Sequence, residues 1–115
     1  MKTRNIVLIV CIGALLFIPF LGMVHLFDWD EINFAESARE MLLTHKYSYL
    51  QIDFKPFYEK PPLFMWVQAL SMSVFGVNEF AARLPNAMVG ICTLLVIFNI
   101  GTKLLDKKLG WLWVL

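Results

Sequence analysis

Carboxylates gather where the first long apolar run of this chain ends. Ile6–Val24 carries no charge, and Asp28, Asp30 and Glu31 follow it. About thirty residues beyond Asp30, a second compact group reads Tyr58-Glu59-Lys60-Pro61-Pro62. Residue types in this order point to charged chemistry at a lipid boundary. A carboxylate there can act as a general base or orient an acceptor hydroxyl. A lysine whose backbone is stiffened by two prolines can offer a point charge to a phosphate. Each residue also has a structural reading. Asp28 or Asp30 can cap a helix starting near Glu31, and acids suit the first turn of a helix by its dipole. Glu59 and Lys60 can form an exposed ion pair worth under about 1 kcal/mol. Arg83 is first an interfacial anchor and, more weakly, a phosphate contact. Tyr58 either stacks on a sugar or anchors the chain at the interface. His25 and His45 have no paired ligands in the sequence and read as boundary or loop residues.

The elements that must hold these residues follow from composition and charge. The chain has 115 residues, of which 59 % are hydrophobic and 17 % charged. That excess over an ordinary soluble domain lies in blocks, which indicates a membrane class. Eight of the nine acids fall between residues 25 and 85, while Lys2, Arg4, Lys103, Lys107 and Lys108 occupy the flanks. No basic stretch resembles a nucleic-acid surface, and a nucleic-acid partner is not expected. Cys11 and Cys92 lie inside apolar runs and read as small buried hydrophobes. Neither has metal-ligand spacing, so no metal site is expected.

Ile6–Val24, as a helix, is about 28 Å long, close to the thickness of a hydrocarbon core. Pro19 and Gly22 are expected to loosen its outer end. A cleaved signal peptide is the competing reading. It is disfavoured by the length of the run and by the lack of a small-x-small cleavage site. Residues 84–102 form a second uncharged run, with lysines after it. Positive charge favours the cytoplasmic side. The N-terminus and the end of the second span are therefore expected inside, and residues 25–83 outside. Pro62–Val77 is apolar but only about 24 Å long as a helix. It is expected to lie in the interface or against other helices. Residues 30–43 read as an amphipathic helix with Phe34, Ala38, Met41 and Leu42 on one stripe and Glu36 and Glu40 mainly off it. Residues 44–58 read as an ordered loop. Residues 110–115 begin another apolar run, the expected start of a third span in a longer polytopic protein. The fold class expected is all-α integral membrane, with two transmembrane helices, juxtamembrane amphipathic helices and that third start.

The order of these motifs resembles a known family. Asp30-Glu31 ends one outward helix and is followed by Ala35-Glu36-Ser37-Ala38-Arg39-Glu40-Met41. Tyr58-Glu59-Lys60-Pro61-Pro62-Leu63, Phe75-Gly76 and Arg83-Leu84-Pro85-Asn86-Ala87 come next. This arrangement, from about Asn5 to Leu109, resembles the N-terminal portion of the GT-C membrane glycosyltransferases. The branch it is most similar to contains the aminoarabinose transferases and the protein O-mannosyltransferase-like enzymes. The resemblance implies a longer enzyme of the cytoplasmic (inner) membrane. It implies transfer of a sugar from a polyprenyl-phosphate carrier to a lipid or protein acceptor at the outer face, lipid A modification included. It implies no cofactor beyond that donor. Asp30 matches the catalytic or acceptor-orienting aspartate, with Glu31 beside it. Lys60 matches a lysine that contacts the carrier phosphate, with Glu59 beside it. The 115 residues alone are expected to be inactive. Two competing classes are a small membrane accessory or scaffold protein, or an inactive fragment, and a flippase-like carrier that needs no catalytic carboxylate.

Overall fold

The computed structural model describes residues 2–114. The chain is mostly helical, in the order α1 (Thr3–Phe17), α2 (Asp30–Thr44), β1 (Leu50–Ile52), β2 (Lys55–Phe57), α3 (Leu63–Phe75), α4 (Glu79–Leu104) and α5 (Lys107–Leu112). Two compact units divide at Pro85. One is Leu21–Pro85. The other comprises α1, α5 and α4 from Asn86 onward.

In the unit Leu21–Pro85, small side chains let the helices approach closely. Ala35, Ala38 and Met41 of α2 pack with Leu50, with Met65, Ala69 and Met72 of α3, and with Ala81 and Ala82 of α4. Phe34, Leu42, Phe57 and Phe64 close the edges of this core. The amphipathic stripe expected over 30–43 is therefore present, with one correction. Glu40, expected on the outer face, is completely buried. Its carboxylate accepts the Phe54 N–H at 3.0 and 3.1 Å, so the charge enters the interior with a donor already in place.

That donor exists because residues 44–58 are more than a loop, which is a second correction. β1 and β2 pair antiparallel, with Leu50 opposite Phe57 and Ile52 opposite Lys55. The tight turn uses Asp53 and Phe54, at φ 56° and 58°. Two left-handed residues are what such a turn demands, and Asn-Gly is the sequence that usually supplies them. The hairpin is held to α2 by further bonds. Ser37 Oγ donates to the Gln51 carbonyl at 2.8 Å, and Thr44 Oγ1 donates to Gln51 Oε1 at 3.1 Å.

α3 starts where Pro62 serves as its N-cap and stops at Gly76, whose φ of 83° no other residue adopts readily. Asn78 then caps α4, its Oδ1 accepting the Ala81 N–H at 2.8 Å.

In the other unit, Ile9, Phe98 and Val114 form a small core with Leu94, Leu95 and Trp111 around it. Phe98 and Trp111 meet edge to face at 5.0 Å between centroids. α4 and α5 touch at backbone distance. A Cβ on Gly101 would stand 2.9 Å from Gly110 Cα.

The helix expected through Val24 ends at Phe17, because Pro19 cannot continue the hydrogen-bond ladder and restricts Ile18 before it. The run expected from 110 is already helical from Lys107, where Asp106 caps it by accepting the Leu109 N–H at 2.8 Å. Its last residue, Leu115, lies outside the described residues. Among the described residues one helix, α4, is long and apolar enough to cross a membrane. Cys11 and Cys92 are exposed rather than buried. The inward faces of α1 and α4 are supplied instead by Gly13, Ile9, Ile91 and Phe98.

Candidate active site

Asp30 and Glu31 are neighbours in sequence but face different partners. The expected side-chain cap is not made. Trp29 occupies the N-cap position of α2, without a side-chain cap bond, and Asp30 is the first helical residue. Glu31 turns inward and caps in another sense, accepting the Phe27 N–H at 2.7 Å. Its two carboxylate oxygens receive Arg83 Nε at 2.6 Å and Nη2 at 3.0 Å. This is the bidentate fork that a planar guanidinium makes with a carboxylate.

Arg83 also donates from Nη1 to the Leu21 carbonyl at 2.8 Å and the Val24 carbonyl at 2.6 Å, and from Nη2 to the His25 carbonyl at 2.9 Å. A guanidinium has five N–H groups, and these five contacts use them all. One side chain from the start of α4 thus ties down the 21–25 turn and the start of α2. These contacts leave Arg83 no N–H over for a phosphate. Arg83 holds the Glu31 carboxyl below the usual carboxylate range, chiefly through the hydrogen bonds and against a smaller opposing effect of burial.

The backbone beside this clamp is strained. Trp29 has φ 77°, ψ −112°, a region bulky residues rarely enter. Such a residue costs about 1–3 kcal/mol and persists where its surroundings over-determine it. Here the Phe27 N–H bond to Glu31 and the Asn33 N–H bond to the Trp29 carbonyl, 3.0 Å, bracket it. The turn sets the point at which α2 begins, and hence where Asp30 projects.

Asp30 projects outward, with a side chain 60 % exposed, and Lys60 Nζ lies 3.7 Å from its Oδ1. Residues 30 positions apart are brought together by α2 and by the segment leading into α3. The pair is longer than a hydrogen bond and partly exposed, so it contributes under about 1 kcal/mol to stability. Lys60 also sits 5.7 Å above the Phe34 ring, and Phe34 is braced edge-on by Phe64 at 5.9 Å. The ammonium is therefore positioned by an aromatic face and two prolines, yet keeps N–H groups for another ligand.

The other expected residues lie nearby in sequence but are not joined to this pair. Tyr58 is 77 % exposed, its ring 6.4 Å from that of Tyr49. Glu59 is exposed. His25 Nδ1 lies 3.2 Å from Glu79 Oε1, so it is engaged at the edge of the clamp. Glu36 pairs with Arg39, whose Nε donates at 2.8 Å. Among the described residues no cluster of His, Cys, Asp and Glu could hold a metal ion.

Two positioning features escaped the sequence reading. The Glu31–Arg83 clamp joins residues 52 positions apart, and nothing in their local patterns announces it. The burial of Glu40 depends on a hairpin that has no alternation to reveal it. A two-residue stretch rich in turn formers would have been its signal, and Asp53-Phe54 is a poor example.

The chain is similar in sequence and fold to known proteins. Residues 59–115 match the family described as dolichyl-phosphate-mannose-protein mannosyltransferase. An undecaprenyl phosphate-alpha-4-amino-4-deoxy-L-arabinose arabinosyl transferase of Shewanella sediminis is 27 % identical over 113 residues, 98 % of this chain and 21 % of that protein. The crystal structure of ArnT from Cupriavidus metallidurans in the apo state is similar with a TM-score of 0.80 at 30 % identity, covering 91 % of this chain and 20 % of ArnT. The same protein bound to undecaprenyl phosphate gives 0.77 at 30 % identity, over 90 % of this chain and 19 % of ArnT. The chain thus spans about a fifth of the length of these relatives. Its mostly helical architecture and long apolar α4 fit an α-helical integral membrane fold. With motif order, fold and relatives in agreement, the chain belongs to the GT-C membrane glycosyltransferases, in the branch of the aminoarabinose transferases and protein O-mannosyltransferase-like proteins.

Proposed function

We propose that this chain forms part of the reacting centre of a glycosyltransferase that takes a sugar from a polyprenyl-phosphate carrier at the outer face of the cytoplasmic membrane. The first apolar run and α4 are the two spanning segments, and α3 lies along the outer surface. The observation that carries the reading is the juxtaposition of Asp30 and Lys60 at 3.7 Å. The ArnT structure bound to undecaprenyl phosphate supports the class of donor.

The chemistry follows from the two charges. An acceptor oxygen attacks the anomeric carbon of the donor sugar. The bond from that carbon to the phosphate oxygen breaks, and the lipid phosphate departs with its electron pair. Lys60 balances the charge that grows on the phosphate, where low dielectric near the bilayer strengthens the interaction. Asp30 orients the acceptor. If the acceptor is a hydroxyl, Asp30 also takes its proton; an acceptor already ionised, such as a phosphate, needs orientation alone. Glu31 and Arg83 work one step back, fixing the turn from which Asp30 projects. Tyr58 offers an exposed ring on which a sugar can stack, and Glu59 borders the phosphate side.

The test is sugar transfer from a polyprenyl-phosphate donor by the complete protein carrying Asp30→Asn or Lys60→Ala. Loss of transfer in both, with protein still inserted in the membrane, is the expected result. Unchanged transfer in both defeats the assignment and favours an accessory role.

A further inference from the structure

The unit built from α1, α5 and the later part of α4 contains a cavity of about 340 Å³ lined by Lys2, Asn5, Phe98, Asn99, Thr102, Lys103 and Lys107. Three of the seven lining residues are lysines and none is acidic. The nearest acid in sequence, Asp106, is engaged in capping α5. The lysines come from the start of α1, the end of α4 and the start of α5, so the fold assembles a positive concavity from three places in the chain.

Two further features suit an anion. α1, 15 residues long, begins without a side-chain cap, so its first N–H groups and the positive end of its dipole face this end of the unit. Asn5 is 6 % exposed. Asn5 also lines the cavity, and its carboxamide N–H groups can donate to a phosphate oxygen flanked by ammonium groups. Thr102 is already committed, its hydroxyl donating to the Asn99 carbonyl at 3.0 Å.

The surroundings indicate what carries the phosphate. Val7 and Leu8 on α1 and Ile100 and Leu104 on α4 expose apolar side chains alongside the same end of the unit. Acyl chains can lie along them while the headgroup enters the lysine-lined space, the arrangement basic pockets between membrane helices use for acidic lipids. We propose that this cavity binds the phosphate group of an anionic phospholipid in the leaflet on the side of the N-terminus. The inference rests on α4 crossing the membrane and is independent of the Asp30–Lys60 chemistry.

The test is native mass spectrometry of the complete protein titrated with phosphatidylglycerol and with phosphatidylcholine of the same acyl chains. Phosphatidylglycerol should bind several-fold more tightly. The double variant Lys103→Gln/Lys107→Gln should lose about tenfold of that affinity, and Lys103→Arg/Lys107→Arg should retain most of it. Lys55→Gln, a lysine of the other unit, should change nothing. A thermal midpoint equal to that of the unmodified protein separates lost binding from lost folding. Millimolar inorganic phosphate that displaces the lipid would support the phosphate site and make the free anion a second source. Equal binding of both lipids, or equal loss in Lys55→Gln, would overturn the proposal. Sugar transfer measured on the same variants reports separately on the outer site.

Discussion

Asp30 and Glu31 show how two adjacent carboxylates acquire different duties. Glu31 is bound by the fork of Arg83 and by a backbone N–H; Asp30 meets one loosely held lysine. The first arrangement stabilises structure and the second leaves both charges available. Arg83→Lys is therefore expected to destabilise the protein by about 2–3 kcal/mol, because a lysine cannot reproduce the fork and three carbonyls lose charged donors. A lowered midpoint of thermal unfolding in detergent would register it. Glu31 also links stability to pH. Its folded pKa is depressed, so its contribution is fully present above the ordinary glutamate value, about 4.3, and is lost as pH falls through the lower folded value. Glu31→Gln should flatten the acid limb of the stability profile in that window, and an unchanged limb would refute the linkage. Lys60→Ala, by contrast, should cost under about 1 kcal/mol of stability. Any large loss of transfer in that variant then reports on chemistry rather than folding.

At the scale of elements, the hairpin and the buried Glu40 depend on each other. Both carboxylate oxygens serve the N–H of Phe54, a residue in the left-handed region. Glu40→Ala leaves that N–H and the turn without support and should destabilise by about 2 kcal/mol. Glu40→Gln keeps an acceptor oxygen and should lose less than half as much, as compared by thermal unfolding. These elements also show what the chain discloses about itself. α2 was legible because Phe34, Ala38 and Met41 recur at helical spacing. Asp30 and Lys60 were legible as types in a familiar order, but their contact was not, since it depends on how α2 and the Pro61-Pro62 segment pack. The hairpin was hidden because three-residue strands are too short to alternate and its turn lacks glycine. The Glu31–Arg83 clamp was hidden because complementary charges 52 positions apart carry no local signature. Pro19 was noted as a loosening element, yet it does more: it restricts Ile18 and ends α1 at Phe17.

For the molecule as a whole, the proposed topology has the acidic segment 25–83 on one side of a membrane and the flanking lysines on the other, as the charge distribution in the sequence suggests. This topology makes a labelling prediction. Cys11 and Cys92 are exposed on apolar helices, so both are first replaced by serine. A cysteine introduced at Tyr58, 77 % exposed, should then react with an impermeant maleimide added to intact cells. One introduced at Lys108 should react only after the membrane is opened. The reverse pattern would move the acidic segment to the cytosol and remove the proposed site from the outer face.

The most direct measurement is a double-mutant cycle on sugar transfer by the complete protein, using Asp30→Asn, Lys60→Ala and the two together. If one centre holds acceptor and departing phosphate, each single change should lower kcat by about a hundredfold or more. The double variant should then be little worse than the more damaging single one, because residues that act as a unit are non-additive. Effects that simply multiply, or a single variant with undiminished turnover, would contradict a shared reacting centre.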